Sequence, residues 1–293
     1  MTILHKSILC WKFILWNLNI RWYNSEKEII GMARIDIKPV LKEVKLRKKT
    51  QLLPLYEESD LRRFNPLRLG LGYIGVNSTK IDSIAVVFDL SGFTPFCSRA
   101  DAHLRMPVFL KEFLKWLFER IRSSIVMQIF EEGIRPYTYL PFFAKFMGDG
   151  VLFLWNTEDM DNDSMCNVVI QMDNISCEYE DIFIKRMRKS ITNIPERLRC
   201  AVARGQVCSV GNGQDYVGQC INLASRLQKD SGVRFCCWKE GIYIEKGMLK
   251  SARELYTSKI IGIRGIGREE LVIIRKEDFE ELSDEEKEGF REP

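Results

Sequence analysis

The chain has 293 residues, 46% hydrophobic and 29% charged, with a formal net charge of +4. That composition fits one globular domain of moderate size with flanking segments, and argues against a disordered chain or a strongly basic nucleic-acid binder. Nine cysteines without a CxxC pair, beside only His5 and His103, argue against both a disulfide framework and a Cys/His zinc site, and point to a reducing cytoplasm.

The chain opens with an apolar stretch, Ser7 to Ile20, that Lys12 interrupts and that is too short to span a bilayer. No small-residue cleavage site follows, as a secretory leader would require. An interfacial helix is one reading; a start at Met32, leaving 1–31 untranslated, is the favoured one. Residues 33–80 read as a lead-in of short helices and loops, with the basic run Lys38 to Lys49 as a solvated helix face. Residues 1–80 are therefore taken as an N-terminal extension without stable membrane insertion.

Regular structure begins at Ile84-Ala-Val-Val-Phe-Asp89, an apolar run closed by an acid, as in a central strand buried on both faces. Leu104 to Met127 carries the dense apolar positions of a packed helix. Pro141 to Trp155 reads as two strand segments around Gly148-Asp149-Gly150, a tight-hairpin signal. Asp161 to Ile191 is helical, Leu198 to Val210 extended, and Asn222 to Lys229 helical again. Short strands are expected at Arg234–Trp238, Lys259–Ile263 and Glu270–Ile274. Ser283-Asp-Glu-Glu286 is a capping box within an acidic tail, 276–293. Strand, helix, hairpin, helix, strand is the order of an α+β, ferredoxin-like βαββαβ core, assigned to residues 81–275.

Two acids matter because of where they fall. Asp89 ends a buried strand and Asp149 tips a hairpin, and in this topology the two places can adjoin. Carboxylates brought together there repel unless they hold divalent cations, and oxygen ligands suit magnesium or manganese. Each taken alone is as well read as an ordinary turn or strand-end aspartate. Ser91-Gly92-Phe93-Thr94 opens a helix whose free N–H groups suit phosphate, or whose hydroxyls merely cap it. Asn222 and Arg226 stand four apart on one helix face, where they could meet ribose and phosphate or simply face solvent.

Phe88-Asp-Leu-Ser-Gly-Phe-Thr94, Lys145-Phe-Met-Gly-Asp149, and Asp215-Tyr-Val-Gly218 through Asn222-Leu-Ala-Ser-Arg226 resemble the three signature blocks of class III nucleotide cyclases, in the family's order. The resemblance implies two divalent cations, manganese or magnesium, held by Asp89, Asp149 and the Leu90 carbonyl. It implies triphosphate contacts from Gly92, Phe93, Thr94, Arg199 and Arg264, a ribose contact from Asn222, and transition-state stabilisation by Arg226. Lys145 and Asp215 fall at the base-reading positions. Ala201 stands where the family usually has glycine, and Arg204 where it has a small residue. Because the family draws the aspartates from one subunit and the Asn/Arg pair from the other, one chain with both sets implies a two-fold homodimer.

Lys with Asp is the family's adenylate-type pair, which disfavours GTP. The fuller runs Pro141 to Trp155, Val207 to Gly218 and Gly262 to Gly267 are similar instead to the pyrimidine cyclases of bacterial Pycsar anti-phage defence. That likeness implies UTP as substrate and cyclic UMP as a cytoplasmic second messenger for a separate effector, with no nucleic-acid partner. Cyclic CMP from the same kind of system and a bacterial adenylate cyclase are the enzymatic alternatives. A degenerate nucleotide-binding dimerisation module is the non-enzymatic one.

Overall fold

A computed structural model describes residues 39–46, 49–59, 66, 70–124, 127–130, 133–136, 139–243 and 250–293. The apolar stretch Ser7 to Ile20 lies outside them. The chain divides into two compact units, one ending at Tyr73 and the other running from Ile74 to Pro293.

The first unit departs from expectation. Where the basic run is expected to form a helix face, the unit holds an antiparallel hairpin, β1 (Val40–Leu46) with β2 (Lys49–Leu55), joined in register from Val40 opposite Leu55 to Leu46 opposite Lys49. Lys42 and Lys45, expected on a helix face, are exposed strand residues, and Lys42 pairs with Glu57 at 3.0 Å. The β-branched Val40 and Val44 favour extended backbone, although the mixed apolar and charged residues of the run show no clean alternation.

The second unit is built on β3 (Lys80–Ser91), followed by the five-residue helix α1 (Phe93–Cys97) and by α2 (Ala102–Ser123). A separate hairpin, β4 (Met127–Phe130) with β5 (Gly133–Pro136), stands where no strand is expected, and takes up Met127 from the end of the expected helix. Then come the hairpin β6 (Phe143–Phe146) and β7 (Gly150–Asn156), helix α3 (Asn162–Glu178), a π-helical turn (Tyr179–Ile184), and α4 (Lys185–Met187). The long strand β8 (Arg197–Val210) leads to β9 (Asp215–Gly218) and α5 (Gln219–Asp230). After β10 (Phe235–Trp238) and α6 (Lys250–Arg253), β11 (Tyr256–Ile263) and β12 (Gly267–Arg275) form a further hairpin.

The stretch expected as an acidic tail is folded onto this unit as α7 (Lys276–Glu280), α8 (Asp284–Lys287) and β13 (Phe290–Arg291). Asp278 is buried and accepts from Arg234 at 2.7 Å and from the Phe235 amide at 3.1 Å. Leu282 enters the smaller of two apolar clusters, and β13 pairs with β11. The Ser283–Glu286 capping box is present.

The sheet order is β13-β11-β12-β10-β8-β3-β7-β6, with β9 paired to β8. The half ending at the β6 edge, β8-β3-β7-β6, has the fourth-first-third-second order of a βαββαβ core, all antiparallel. The alternation of β3 explains both faces. Ile84, Val86, Phe88 and Leu90 join the larger cluster with Phe109, Phe113 and Trp116 of α2 and Val168, Val169 and Met172 of α3. Ala85 and Val87 join the smaller cluster under α5, with Leu223, Ala224 and Leu227. Tyr179, from the π-helical turn, stands edge-on to Phe113 and gives its hydroxyl to the Pro195 carbonyl at 2.6 Å, which satisfies a buried polar tip.

Candidate active site

Asp89 is the last acid of β3 before the chain turns into α1, and it lies opposite Gly150 of β7 and Arg199 of β8. Gly150 has to be glycine there: a Cβ would stand 2.2 Å from the Phe88 carbonyl oxygen. The hairpin tip is drawn in by the Leu90 amide, which donates to the Asp149 carbonyl at 3.0 Å, and closed by the Met147 amide donating to Gly150 at 2.8 Å. Asp149 is thereby held next to the end of β3, close enough for its charge to act on the Asp89 carboxyl. This is the juxtaposition that the sequence suggests and cannot show.

Asp89 is 7% exposed. Burial first, and the charge of Asp149 next, push its carboxyl above the usual range; Arg199 and Lys229 pull the other way and are outweighed. The Arg199 guanidinium donates to Asp89 at 3.3 Å, while its Nε is buried with no partner. Arg199 therefore stands at the carboxylate pair in this chain. Lys229 belongs to none of the sequence motifs, although it continues the Asn222/Arg226 stripe by one further turn.

An all-oxygen pair of carboxylates, one of them buried at a cost, is suited to hard divalent cations. Among the described residues no group of three or more His, Cys, Asp or Glu side chains is placed to hold a metal.

Next to the pair, Gly92 caps α1 in the left-handed conformation, with φ 83°, and no side chain caps that helix. The alternative reading of Ser91 and Thr94 as caps is thus not realised. Gly92 and Thr94 are exposed while Phe93 is buried.

Lys145 and Asp215 are brought together as a direct ion pair. Asp215 also accepts from the Tyr216 amide at 2.9 Å, which fixes its orientation. The ring of Tyr216 packs with its centroid 5.3 Å from that of Phe142 and 4.9 Å from that of Phe143.

Asn222 and Arg226 sit on the exposed side of α5, whose opposite side, Cys220, Leu223, Ala224, Leu227 and Gln228, is buried against the sheet. Arg226 donates to the Arg264 carbonyl in the β11–β12 turn. Asp89 falls on the same sheet face as α5, in step with Ala85 and Val87. Asn222 and Arg226 are exposed on α5, with Arg226 held at the β11–β12 turn of the same sheet and Lys229, on the same stripe, acting on Asp89. Of the departures noted above, Ala201 is buried in the smaller cluster, and Arg204 donates to the Gly241 carbonyl at 2.8 Å.

No family model and no curated protein matches the sequence. Among solved structures, the chain is similar to the guanylyl cyclase Cya2 at 14% identity and a TM-score of 0.48, over 68% of this chain and 93% of that one. It is similar to a bacterial light-regulated adenylyl cyclase at 13% identity and a TM-score of 0.46, over 74% of this chain and 60% of that one. A guanylate cyclase domain from Catenaria anguillulae, solved with GTP, matches at 17% identity and a TM-score of 0.42, over 68% of this chain and all of the other, 100%. No helix among the described residues is long and apolar enough to cross a membrane.

Proposed function

We propose that this chain is a class III nucleotide cyclase that converts a ribonucleoside triphosphate to its 3′,5′-cyclic monophosphate and pyrophosphate. The observation that carries the reading is the buried Asp89 carboxyl abutting Asp149, within the same unit as the Lys145–Asp215 pair and the Asn222/Arg226 stripe. In the reaction the ribose 3′-oxygen bonds to the α-phosphorus, the bond to the bridging oxygen of pyrophosphate breaks, and the hydroxyl proton is released.

Asp89 and Asp149, with the Leu90 carbonyl, would hold two magnesium or manganese ions. What such ions supply when bound is a more acidic 3′-hydroxyl and neutralisation of the leaving group. Gly92, Phe93, Thr94, Arg199 and Arg264 are assigned to the phosphates, with Arg199 exchanging part of its Asp89 contact for a phosphate oxygen. Asn222 orients the ribose, and Arg226 stabilises charge on the α-phosphoryl oxygens.

The outward stripe of α5 supports a site shared between two copies: one chain gives Asp89 and Asp149, and its partner gives Asn222, Arg226, Lys145 and Asp215. A two-fold dimer then holds two such sites.

We assign UTP as substrate and cyclic UMP as product, acting as a cytoplasmic messenger to a separate effector in Pycsar-type anti-phage defence. A lysine donor beside a carboxylate acceptor complements any base edge with an adjacent acceptor and donor, so the pair does not by itself choose adenine. Uracil offers its O4 to Lys145 and its N3–H to Asp215. The choice of the smaller ring rests on the likeness of the runs Pro141 to Trp155 and Val207 to Gly218 to pyrimidine cyclases.

The test is incubation of purified protein with manganese and each of the four ribonucleoside triphosphates, with products separated and weighed by mass spectrometry. Cyclic UMP should dominate. Dominant cyclic AMP would overturn the pyrimidine assignment, and no cyclic product from any of the four would overturn the cyclase reading.

A further inference from the structure

The strand β8 has a gap along one of its sides. β10 runs beside it as far as Cys237 opposite Val202, and β9 takes up the same side at Gly218 opposite Val207. Between those two pairings, residues 203–206 are matched by β3 alone. A cleft of about 360 Å³ opens at the gap, at the small end of the range for small-molecule sites. Its lining includes Asp82 from β3, Arg204 and Gln206 from β8, Gln219 from α5, and Trp238 and Glu240 from the end of β10 and beyond.

Local chemistry shapes the walls. A Cβ on Gly205 would stand 3.2 Å from the Cys220 Cβ, so the glycine lets the first turn of α5 close on β8. Gly241, with φ 77°, turns the chain so that its carbonyl accepts from Arg204 Nη1 at 2.8 Å. Trp238 is fixed by its indole N–H, which donates to Glu270 at 2.9 Å. Arg204 is a position at which the sequence departs from the cyclase pattern, and it is half-buried here.

The charges of the cleft are uncompensated. Asp82 lies opposite Gln206, one diagonal step from Arg204 on the paired strands, a spacing that long side chains can bridge. The two form no ion pair, and among the described residues Asp82, Glu240 and Arg204 have no ion-pair partner of any kind. Opposite charges held apart in one cleft select by sign. A simple anion at Arg204 meets two carboxylates, a simple cation at the carboxylates meets the guanidinium, and a ligand carrying both signs satisfies all three. The amides of Gln206 and Gln219 add neutral donors and acceptors, and the indole adds apolar surface.

We infer that this cleft binds a free α-amino acid, with its carboxylate on Arg204, its ammonium at Asp82 and Glu240, and its side chain toward Trp238. None of these residues belongs to the assigned active site: Arg204 stands five positions along β8 from Arg199, and Asp82 seven along β3 from Asp89.

The experiment is a thermal-shift screen of the full chain against each standard L-amino acid. Calorimetric titration follows with the strongest and two analogues of it, the amine lacking the carboxylate and the acid lacking the ammonium. The amino acid should bind saturably, one per chain, and both analogues about tenfold or more weaker. Arg204→Gln should weaken the amino acid about tenfold or more without weakening the amine. Asp82→Asn should weaken the amino acid without weakening the acid, and the exposed Glu240→Gln makes the same test should Asp82→Asn fail to fold. No binding by any amino acid, an analogue as tight as its parent, or folded Arg204→Gln and Glu240→Gln proteins of wild-type affinity would overturn the inference. Binding is read without turnover, so a failed cyclase assay and a failed titration are told apart.

Discussion

Replacing Asp89 with asparagine should stabilise the metal-free protein while abolishing turnover, and that opposition is what separates a metal-holding carboxylate from a structural one. Two carboxylates about 4 Å apart repel by about 4 kcal/mol at an effective dielectric constant of about 20. The Arg199 guanidinium, 3.3 Å from Asp89, offsets a comparable amount. Burial then tips the balance, and the carboxyl is held above its ordinary range. The sign follows: the folded state binds the proton more readily than the unfolded chain, so the ionised group costs stability at neutral pH. The asparagine side chain would bring no charge, keep an acceptor for Arg199, and offer Asp149 a donor. We expect a net gain of about 1 kcal/mol, or a rise of about 2–4 °C in Tm for a unit of this size. Melting curves with a chelator measure this, and a repeat with manganese should raise Tm for the wild type only. Cyclic-nucleotide formation should fall at least about a hundredfold. An Asp89→Asn protein that melts several degrees lower in chelator and still turns over would refute the reasoning.

Gly150→Ala forces a Cβ to 2.2 Å from the Phe88 oxygen, so the β3–β7 register must shift beside Asp89; expression and melting should show a loss of roughly 2–4 kcal/mol with activity abolished. Asp278 is held above its ordinary carboxylate range by burial, against the pull of Arg234 and the Phe235 amide. Its favourable contribution is therefore complete below the unfolded value of 3.8 and is lost as pH rises through the folded value. The stability of Asp278→Asn relative to wild type should accordingly climb as denaturant titrations move from pH 4 toward pH 7. Lys145→Ala should raise KM for the preferred triphosphate by about tenfold or more, with kcat less affected, if the residue reads the base; steady-state kinetics across the four nucleotides would reveal an equal loss on all of them if it does not.

How much of this can be read from sequence depends on range. The apolar run Ile84–Phe88 and the Gly148–Gly150 turn declare themselves locally, and β3 and the β6–β7 hairpin stand where expected. Asp89 and Asp149 are identifiable as a pair only through the topology that joins them. The hairpin at Val40–Leu55 is hidden because its charged residues resemble a solvated helix face as readily as a strand. β9 has four residues and exists by pairing with the far end of β8, which no local pattern announces. The closing segment misleads for the same reason: its acidic composition conceals Asp278, whose partners Arg234 and Phe235 are more than forty residues away. Lys145 and Asp215, seventy positions apart in sequence, are linked only by family resemblance until the fold puts them in contact.

The most direct test mixes two dead proteins. Asp89→Ala lacks a metal carboxylate and Arg226→Ala lacks the phosphate-stabilising guanidinium, and each should be inactive alone. In a re-equilibrated equimolar mixture about half the dimers pair one variant with the other, and each of these holds one intact site of its two. The mixture should therefore recover about a quarter of wild-type cyclic-nucleotide formation. A mixture as inactive as its components, from subunits shown to exchange and a wild type that makes product, would contradict a cyclase site shared between two chains.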